Sequence, residues 1–309
     1  MKELVDIIRA WEAQRGEPVA LATLVRTHGS SYRRPGARML IGADGTRVGS
    51  LSGGCLEDEV TSAAQAVLRS GVPVLLEFDT RRRFGCHGQI EIFIEVANES
   101  FVSELRDALA QRRTRRAVTI FEKEVGQLGS RFLSAEEAIP DGAFLQEIAP
   151  PIQLILFGHG PDSAPLGAFA RELGWSVLEV EQATDLLQIA TDDRTAAIVK
   201  SHNYGRDCAA LRHLLSLDLR YVGLLGPRRR REQLLGDLAD SGASIHAQLF
   251  SPAGLDLGAE TPAEIALALI AEIQTTFADA SGEALRERKT PIHGWNLAHR
   301  AWSDASLPA

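Results

Sequence analysis

The stretch that decides the fold is IQLILFGHGPDSAPLGAFARELGWSVLEV, residues 152–180. It opens with an apolar run (152–158), passes through a loop with glycine and proline into a segment with helical spacing (165–174), and closes with a second apolar run (175–180). A strand, a loop, a helix and a strand within about 30 residues form one β-α-β unit. The stretch therefore predicts two neighbouring parallel strands with a helix packed over them.

The residues that follow continue this alternation of strands and helices. The runs TAAIVKS (195–201) and YVGLLG (221–226) have the composition of buried strands, and the segment RDCAALRHLLSL (206–217) between them has helical spacing. Strands that alternate with helices build a parallel sheet with helices on both faces. Residues 149–280 are therefore predicted to form a Rossmann-like, doubly wound parallel sheet of the α/β class.

The last predicted helix, over residues 261–280, carries its own start signal. Thr261 occupies the N-cap position, Pro262 the first helical position and Glu264 the capping-box position. From 281 to 309 the sequence is polar and has no regular pattern. We treat that segment as a C-terminal tail.

The first half of the chain predicts a smaller N-terminal α/β domain over residues 1–148. The sequence ADG between two strand-like runs is typical of a hairpin turn. The strand predicted at 89–96 alternates apolar and polar residues, which favours a sheet with one solvent-facing side. The predicted helices cover 3–14, 59–71 and 101–111, and the predicted strands cover 18–27, 38–42, 73–78, 89–96 and 116–121.

Composition and charge argue against several functional classes. Among 309 residues, 33 are Lys or Arg and 41 are Asp or Glu, which gives a formal net charge of −8; nucleic-acid binders usually carry a basic excess. Three cysteines are too few for a disulfide framework. The N-terminus has no apolar signal-peptide core, and no window approaches about 18 uncharged apolar residues. We therefore expect a cytoplasmic protein that binds neither nucleic acid nor membrane.

The loop FGHGPDSAPLG (157–167) is a candidate phosphate-binding turn. Gly158 and Gly160 lie where a predicted strand gives way to a helix, so their amides can approach a phosphate at the positive end of that helix. Asp162, in the same loop, is included among the binding candidates. The loop therefore predicts an anion site at the first turn of the sheet.

Whether that site takes a dinucleotide is left open by two further residues. An acid about 20 residues downstream, Glu179 or Glu181, is in range of a ribose hydroxyl. Ser163, however, stands where the third glycine of the dinucleotide motif belongs. The alternative is a Rossmann-like sheet that tightens its first turn with glycine and binds no dinucleotide.

The stretch GSLSGGCLEDEV (49–60) places a cysteine in an unusual setting. Gly53 and Gly54 remove side chains next to Cys55, and the acids that follow are typical of the first turn of a helix. A thiol at a helix N-terminus is shifted towards thiolate, which acts as a nucleophile, a soft metal ligand or a sulfur acceptor. The alternative is a small residue packed under a glycine turn.

A second cysteine, Cys86, lies in the loop FGCHGQ (84–89). Cys86 and His87 point in opposite directions on an extended chain, and no C-x-x-C or H-x-x-x-H spacing completes a zinc site. Two interpretations stay open: Cys86 converges with Cys55 across one pocket, or it is a structural loop cysteine.

Two loops after predicted strands supply candidates for an anionic ligand. KSHNYGRD (200–207) and GLLGPRRRRE (223–232) both follow buried strands, so both should lie at the carboxyl edge of the sheet, where open α/β proteins bind ligands. His202 and Arg228 or Arg229 are therefore candidates for a phosphate-bearing ligand. For His202 the alternative is that it caps the end of the strand.

Taken in order along the chain, these motifs resemble the XdhC/CoxI family, maturation factors for molybdenum hydroxylases such as xanthine dehydrogenase and carbon monoxide dehydrogenase. The resemblance spans nearly the whole chain and is carried by ATLVRTHGSSYRRPGARMLI, GSLSGGCLEDEV, FGCHG, LILFGHGPDSAPL, YVGLLGPRRRRE and SPAGLDLGAETPAEIALALIAEI. It implies a small N-terminal α/β domain followed by a Rossmann-like domain. It also implies that the protein binds the molybdenum cofactor (molybdopterin), protects it while its terminal sulfido ligand is installed, and delivers it into the target apoenzyme.

The resemblance also marks a set of site residues, none of them catalytic. Ser201 and Pro227 depart from the threonine and serine that are frequent in the family, and Glu181 stands for a frequent aspartate. Cys55 is the candidate for a direct molybdenum ligand. The residues predicted to bind the cofactor are Gly53, Gly54, Cys55, Cys86, Gly158, Gly160, Asp162, Glu181, His202 and Arg228.

The implied partners are an apo molybdenum hydroxylase of the xanthine or carbon monoxide dehydrogenase type and a cysteine desulfurase, and we expect a homodimer. The protein is then a non-catalytic cofactor-insertion chaperone rather than an enzyme. One alternative is an NAD(P)-dependent oxidoreductase that uses the Rossmann domain. The missing third glycine and the absence of a Tyr-x-x-x-Lys pair count against it. Another alternative is a thiol-based sulfur relay through Cys55.

Overall fold

The protein divides into two compact units, Glu3–Pro150 and Pro151–Lys289. The first unit, expected to be the smaller, is about as long as the second. Cys55, the segment 80–87 with Cys86, and the end of the chain from 290 onwards lie outside the described residues. The computed structural model describes residues 1–14, 16–54, 56–79, 88–134 and 136–289.

The first unit is built on a five-stranded antiparallel sheet. Neighbouring strands all run in opposite directions, and the predicted hairpin joins the second strand to the third. In space the order is β3-β2-β1-β5-β4. The strands are β1 (Ala20–Gly29), β2 (Arg38–Ile41), β3 (Arg47–Gly49), β4 (Val74–Asp79) and β5 (Gly88–Val96).

Three helices cover this sheet: α1 (Lys2–Ala13), α2 (Glu57–Ser70) and α3 (Glu99–Ala110). Apolar residues of α2 pack on one face of the sheet, and those of α1 and α3 pack on the other. Because both faces are covered, the prediction of one solvent-facing side for β5 is wrong beyond Glu91: residues 92–95 are all buried.

A second, three-stranded antiparallel sheet completes the first unit. It consists of β6 (Arg115–Ile120), β7 (Gly129–Phe132) and β8 (Phe144–Ile148) in the order β7-β6-β8. Of these strands, only β6 is predicted by the sequence. Phe121 and Phe144 pack with Val25 and Phe93 of the larger sheet, so the small sheet extends the cover over that face.

The second unit contains the predicted parallel sheet. Its strands follow the order β10-β9-β11-β12-β13, and each pair of neighbours is parallel. All five residues of the first strand are buried, as its continuous apolar run predicts. The strands are β9 (Gln153–Phe157), β10 (Ser176–Val180), β11 (Thr195–Val199), β12 (Tyr221–Leu224) and β13 (Leu249–Phe250).

Helices lie on both faces of the parallel sheet, which confirms the doubly wound, Rossmann-like prediction. One apolar cluster joins the sheet to α4 (Ser163–Glu172) and α8 (Pro262–Ala278). The other joins it to α5 (Ala183–Leu186), α6 (Tyr204–Leu214) and α7 (Arg228–Asp240). Helix α8 begins with the predicted capping box between Thr261 and Glu264. Within the ranges that the structure describes, no helix is both long and apolar enough to cross a membrane.

Candidate functional site

One carboxylate holds together the turn at residues 50–57 of the first unit. Glu57 begins α2, yet its side chain reaches back across the turn. Its Oε1 accepts the N–H of Ser52 at 3.0 Å, and its Oε2 accepts the Ser52 hydroxyl at 2.6 Å and the N–H of Leu56 at 3.1 Å. The Ser50 hydroxyl lies 3.2 Å from Oε1. A single side chain therefore links the residues after β3 to the start of α2. We refer to the described residues of this connection, 50–54 and 56–57, as the clamped turn.

The hydrogen bonds of the clamped turn also determine the charge of Glu57. Burial on its own raises the pKa of the carboxyl group, but hydrogen bonds from Ser52 and from main-chain N–H groups outweigh burial and lower the pKa to about 2. Glu57 is therefore ionised at neutral pH. Asp58 and Glu59, the other acids of this helical turn, are exposed.

Gly53 and Gly54 are exposed at the tip of the clamped turn. Gly54 has a φ of +101°, a left-handed conformation that disfavours any side chain. Gly53 is not in that region, and a Cβ placed on either glycine meets no atom within 4 Å. The backbone therefore requires glycine at position 54, whereas at position 53 neither conformation nor packing does.

The two cysteines predicted to bind the cofactor, Cys55 and Cys86, lie outside the described residues, so thiol ligation stays a prediction. Cys208 is a free thiol on α6, where it is partly buried against the apolar core of the second unit. Among residues 1–289 apart from the gaps given above, no group of three or more His, Cys, Asp and Glu side chains is arranged to hold a metal ion.

The other predicted binding residues lie at the carboxyl edge of the parallel sheet. Strand β9 lies between β10 and β11, so the chain leaves β9 towards one side and later continues on the other. At such a switch point the loops separate and open a crevice. The residues that follow the carboxyl ends of the strands at this edge are Gly158, Gly160, Asp162, Glu181, His202 and Arg228.

Gly158 and Gly160 are used for interactions within the unit. Gly158 has a φ of +97°, and a Cβ there would lie 2.4 Å from the Cα of Ser201. The N–H of Gly158 donates to the carbonyl oxygen of Val180 at 2.9 Å, and the N–H of Gly160 donates to Ser163 Oγ at 3.2 Å. These contacts support the alternative in which the glycines tighten the turn, because neither amide is available to a phosphate in this conformation.

Lys200, directly after β11, is fully buried and is not among the residues predicted from the sequence. Its Nζ donates to Ser163 Oγ at 2.6 Å and lies 3.4 Å from Asp162 Oδ1. Asp162 is itself buried, and its Oδ2 has no hydrogen-bond partner among the described residues. The pair therefore joins the loop after β9 to the end of β11 across the switch point.

A second buried carboxylate, Asp207 on α6, shapes the neighbouring loop. Its Oδ1 accepts both the N–H of Ser201, at 3.2 Å, and the Ser201 hydroxyl. Its Oδ2 accepts Arg230 Nη2 at 2.6 Å. Arg228, which the sequence predicts to bind the ligand, is instead exposed at the first residue of α7. The arginine run therefore supplies one structural residue and leaves Arg228 and Arg229 at the surface.

His202 and Glu181 both present exposed side chains at this edge. His202 has a φ of +54°, which is uncommon for a residue other than glycine. The carbonyl oxygen of Glu181 accepts Arg206 Nη2, so Glu181 contributes its main chain to the structure and leaves its carboxylate exposed. Glu179, the alternative acid, lies within β10 with its carboxylate 4.0 Å from Arg171 Nη2.

The fold and these features define a protein with an antiparallel, glycine-turn unit followed by a Rossmann-type unit. The chain matches the model of the XdhC and CoxI family over residues 12–79 and that of the XdhC Rossmann domain over residues 154–273. A Bacillus subtilis protein, named as a probable subunit of xanthine dehydrogenase, is 31% identical over 84% of this chain and 93% of its own length. The chain belongs to the XdhC/CoxI family, as its motifs predict.

Two further relatives extend the comparison. The molybdenum cofactor insertion chaperone PaoD of Escherichia coli is 24% identical over 84% of this chain and 83% of its own length. The crystal structure of a protein described as a xanthine dehydrogenase from Bacillus halodurans has a TM-score of 0.75 and 25% identity. That comparison covers 90% of this chain and 96% of the other. The predicted fold class is therefore confirmed.

Proposed function

We propose that this protein is an accessory factor that binds the molybdenum cofactor and holds it while its terminal sulfido ligand is installed. It then inserts the cofactor into a molybdenum hydroxylase of the xanthine dehydrogenase type. Membership of the XdhC/CoxI family supports the general role of a maturation factor. The name of the relative PaoD supports the choice of cargo. The finer steps rest on the chemistry of the clamped turn and of the side chains at the edge of the parallel sheet.

The observation that carries the proposal is the clamped turn. Glu57 holds the turn through hydrogen bonds within the protein, so the turn keeps its shape before any ligand arrives. Gly53 and Gly54 leave open space at its tip, which lets a ligand approach the backbone closely. Cys55 follows them directly in the sequence, and a thiolate is a soft ligand suited to a sulfur-rich metal centre.

The Rossmann-type unit, taken by itself, has side chains suited to an anionic ligand at its own sheet edge. Arg228 and Arg229 are exposed at the start of α7, at the carboxyl edge of the sheet. Arginine binds phosphate through paired, charge-assisted hydrogen bonds. His202 lies at the same edge on an exposed loop. These residues support binding of an anionic ligand, while the internally bonded amides of Gly158 and Gly160 do not favour a dinucleotide.

The proposal is tested by replacing each cysteine with alanine and measuring how much molybdenum stays with the protein. The purified chain is loaded with molybdenum cofactor without oxygen, passed over a sizing column and analysed for molybdenum. We expect Cys55→Ala to retain the cofactor at least about tenfold more weakly, because a metal–thiolate bond is worth more than the roughly 1.4 kcal/mol of one factor of ten. Cys208→Ala, which changes a thiol partly buried against the core of the second unit, is the matched control and should retain it normally.

The remaining variants decide between the alternatives. Unchanged retention in both Cys55→Ala and Cys86→Ala would rule out thiolate ligation. A persulfide on Cys55, seen by mass spectrometry after incubation with a cysteine desulfurase, would instead support a sulfur relay. Transfer is measured separately, as the activity that a loaded wild-type protein restores to an apo xanthine dehydrogenase.

A further inference from the structure

The first unit contains a cavity of about 360 Å³ that is rich in arginine. It lies beside the loop that joins β1 to β2. Arg33, Arg34 and Arg38 line it together with one carboxylate, that of Glu3, and with the ring of Tyr32. The lining thus has three guanidinium groups and one carboxylate. The hydrogen-bonded carboxylate of Glu3 raises the pKa of Arg33, and the carboxylate of Glu57 also lies close enough to Arg33 to raise it. We refer to this cavity as the arginine cavity.

Arg38 is a buried cation with an incomplete set of acceptors. It is only 2% exposed, and its Nη1 donates to Gln146 Oε1 and, at 3.5 Å, to the carbonyl oxygen of Gly36. Its Nε and Nη2 have no acceptor among the residues that the structure describes. Burial lowers the pKa of Arg38 to about 10, against the opposing effect of Glu95, so the side chain remains charged at neutral pH. Arg38 also lies over the Phe101 ring, 5.5 Å from the ring centroid, and its two nitrogens without acceptors are buried. It therefore contributes a positive charge behind the wall of the cavity and not a direct contact with a ligand.

The loop beside the cavity is fixed by close contacts within the protein. Gly36 has a φ of +96°, and a Cβ there would lie 2.5 Å from Gln146 Nε2. Gln146 in turn accepts the hydrogen bond from Arg38. The cavity is therefore preformed, which reduces the entropy that a ligand loses when it binds.

Arg33 already binds an anionic group in the way that it would bind a phosphate. Its Nη1 donates to Glu3 Oε1 at 2.7 Å, and its Nη2 donates to Glu3 Oε2. A guanidinium group takes a carboxylate or a phosphate through the same pair of parallel hydrogen bonds. Glu3 therefore acts as an internal competitor for the position that an incoming anion would occupy.

We infer that the arginine cavity binds a phosphate monoester carried on a flat heterocycle. Arg33 receives the phosphate in place of Glu3, and Tyr32, which is 66% exposed, stacks its ring on the heterocycle. The inference rests on the proposed function, because the pterin cofactor has this chemistry. A nucleoside monophosphate has it as well, and the test below separates the two.

The test is calorimetric titration of the full-length protein with adenosine monophosphate, inorganic phosphate and adenosine. We expect the monophosphate to bind best and adenosine, which has no charge, to bind least. Arg33→Ala should weaken binding of the monophosphate by about tenfold. Glu3→Gln should strengthen it by about threefold, because the internal competitor loses its charge. Tyr32→Ala should weaken the monophosphate while leaving inorganic phosphate unchanged.

Arg131→Ala is the matched control. Arg131 also pairs with a glutamate, Glu137, at 2.6 Å, but it lies on β7 and does not line the cavity. Its loss should leave all three titrations unchanged. The inference is overturned if neither wild type nor Glu3→Gln binds the phosphate probes, or if Arg33→Ala binds as wild type does.

The source of the ligand and the proposed function are tested separately. Displacement of adenosine monophosphate by molybdenum cofactor assigns the cavity to the cofactor, and lack of displacement assigns it to a nucleotide. Either result supports the inference that the cavity is a phosphate site. If the cavity binds phosphate but the loaded protein restores no activity to an apo molybdenum hydroxylase, the proposed function fails and the inference stands. If the loaded protein restores activity but the cavity binds no phosphate probe, the inference fails and the proposed function stands.

Discussion

Glu57 shows how one side chain determines the shape of a loop that has few packing contacts of its own. The glycines at the tip of the clamped turn are exposed and have no side chain to bury, so apolar burial cannot hold them in place. The carboxylate instead collects donors from Ser50, Ser52 and Leu56. Charge-assisted bonds of this kind are roughly twice as strong as neutral ones. Hydrogen bonds to Glu57 from residues on both sides of the exposed tip thus hold it in place.

Replacing Glu57 with glutamine should lower the free energy of unfolding by about 1–3 kcal/mol at pH 7, because buried donors lose a charged acceptor. Urea denaturation followed by circular dichroism measures the change. Glu99→Gln alters an exposed acid in the first turn of α3 and should change the free energy of unfolding by less than about 0.5 kcal/mol. Equal losses in the two variants would contradict a special role for Glu57.

Wild type and Glu57→Gln can also be compared as a function of pH. The pKa of Glu57 is about 2 in the folded chain, below its ordinary value of 4.5. The stabilisation is therefore complete above the unfolded pKa and is lost as the pH falls from about 4.5 towards 2. The gap in stability between wild type and Glu57→Gln should narrow over that range. A constant gap from neutral pH to pH 3 would contradict the assignment.

At the scale of elements, the pair formed by Lys200 and Asp162 joins two loops of the parallel sheet. Buried ion pairs are often no more stabilising than apolar residues of the same size, because both charges must leave water. Their value lies in fixing one arrangement of the surrounding chain. Here the pair holds the first residue after β11 against the loop after β9. The loop after β9 and the end of β11 are thereby held together.

Lys200→Met should lower the free energy of unfolding by about 3–5 kcal/mol, because Asp162 is left as a buried charge without its partner. Adding Asp162→Asn should recover a large part of that loss. Lys123→Met, at an exposed position, is the control and should have little effect. Chemical denaturation of wild type, the control, both single variants and the double variant measures the coupling. Simple addition of the two single losses would show that the residues do not interact.

The elements that the sequence predicts are those with a dense apolar pattern. Strands β9, β11 and β12 are continuous apolar runs, and each was located to within about two residues. Strands β7 and β8 are short and mix polar with apolar residues, so they carry no comparable signal. The sequence does not predict helix α7 for a related reason, since only Leu234 and Leu238 are buried in a segment dominated by charge.

The candidate site was predictable only as far as it depends on strand ends. His202, Glu181 and Arg228 follow from knowing where strands of a parallel sheet stop. Strand ends do not predict that the side chains of Lys200 and Glu57 point inwards, since lysine and glutamate are usually exposed. A lysine directly after a buried strand with four consecutive apolar residues is the available signal for Lys200. For Glu57, the position at a helix start suggested a dipole interaction instead of a clamp.

At the scale of the whole molecule, each unit has a core of its own. Every buried apolar cluster among the described residues lies entirely within one unit. The clusters of the second unit cover both faces of its sheet. A domain with a complete core is able to fold alone. The two units therefore meet the physical requirement for independent folding.

Fragments 1–150 and 151–289 should each unfold in a single cooperative transition. Each contains one tryptophan, Trp11 in the first and Trp175 in the second, and both are buried. Tryptophan fluorescence of each fragment during urea titration measures this. In water both should emit as buried side chains. Emission typical of exposed tryptophan before any urea is added would show that a fragment depends on the other half of the chain.

Position 53 has a consequence for experiment design. Since glycine is not demanded there by backbone geometry or by neighbours, larger side chains can be installed without disturbing the rest of the loop. Substitution of Gly53 by alanine, valine and leucine in turn would then place a series of side chains of increasing size at this position. The smallest member that stops loading reports the gap between the main chain and its cargo, and so measures in situ how closely the two approach.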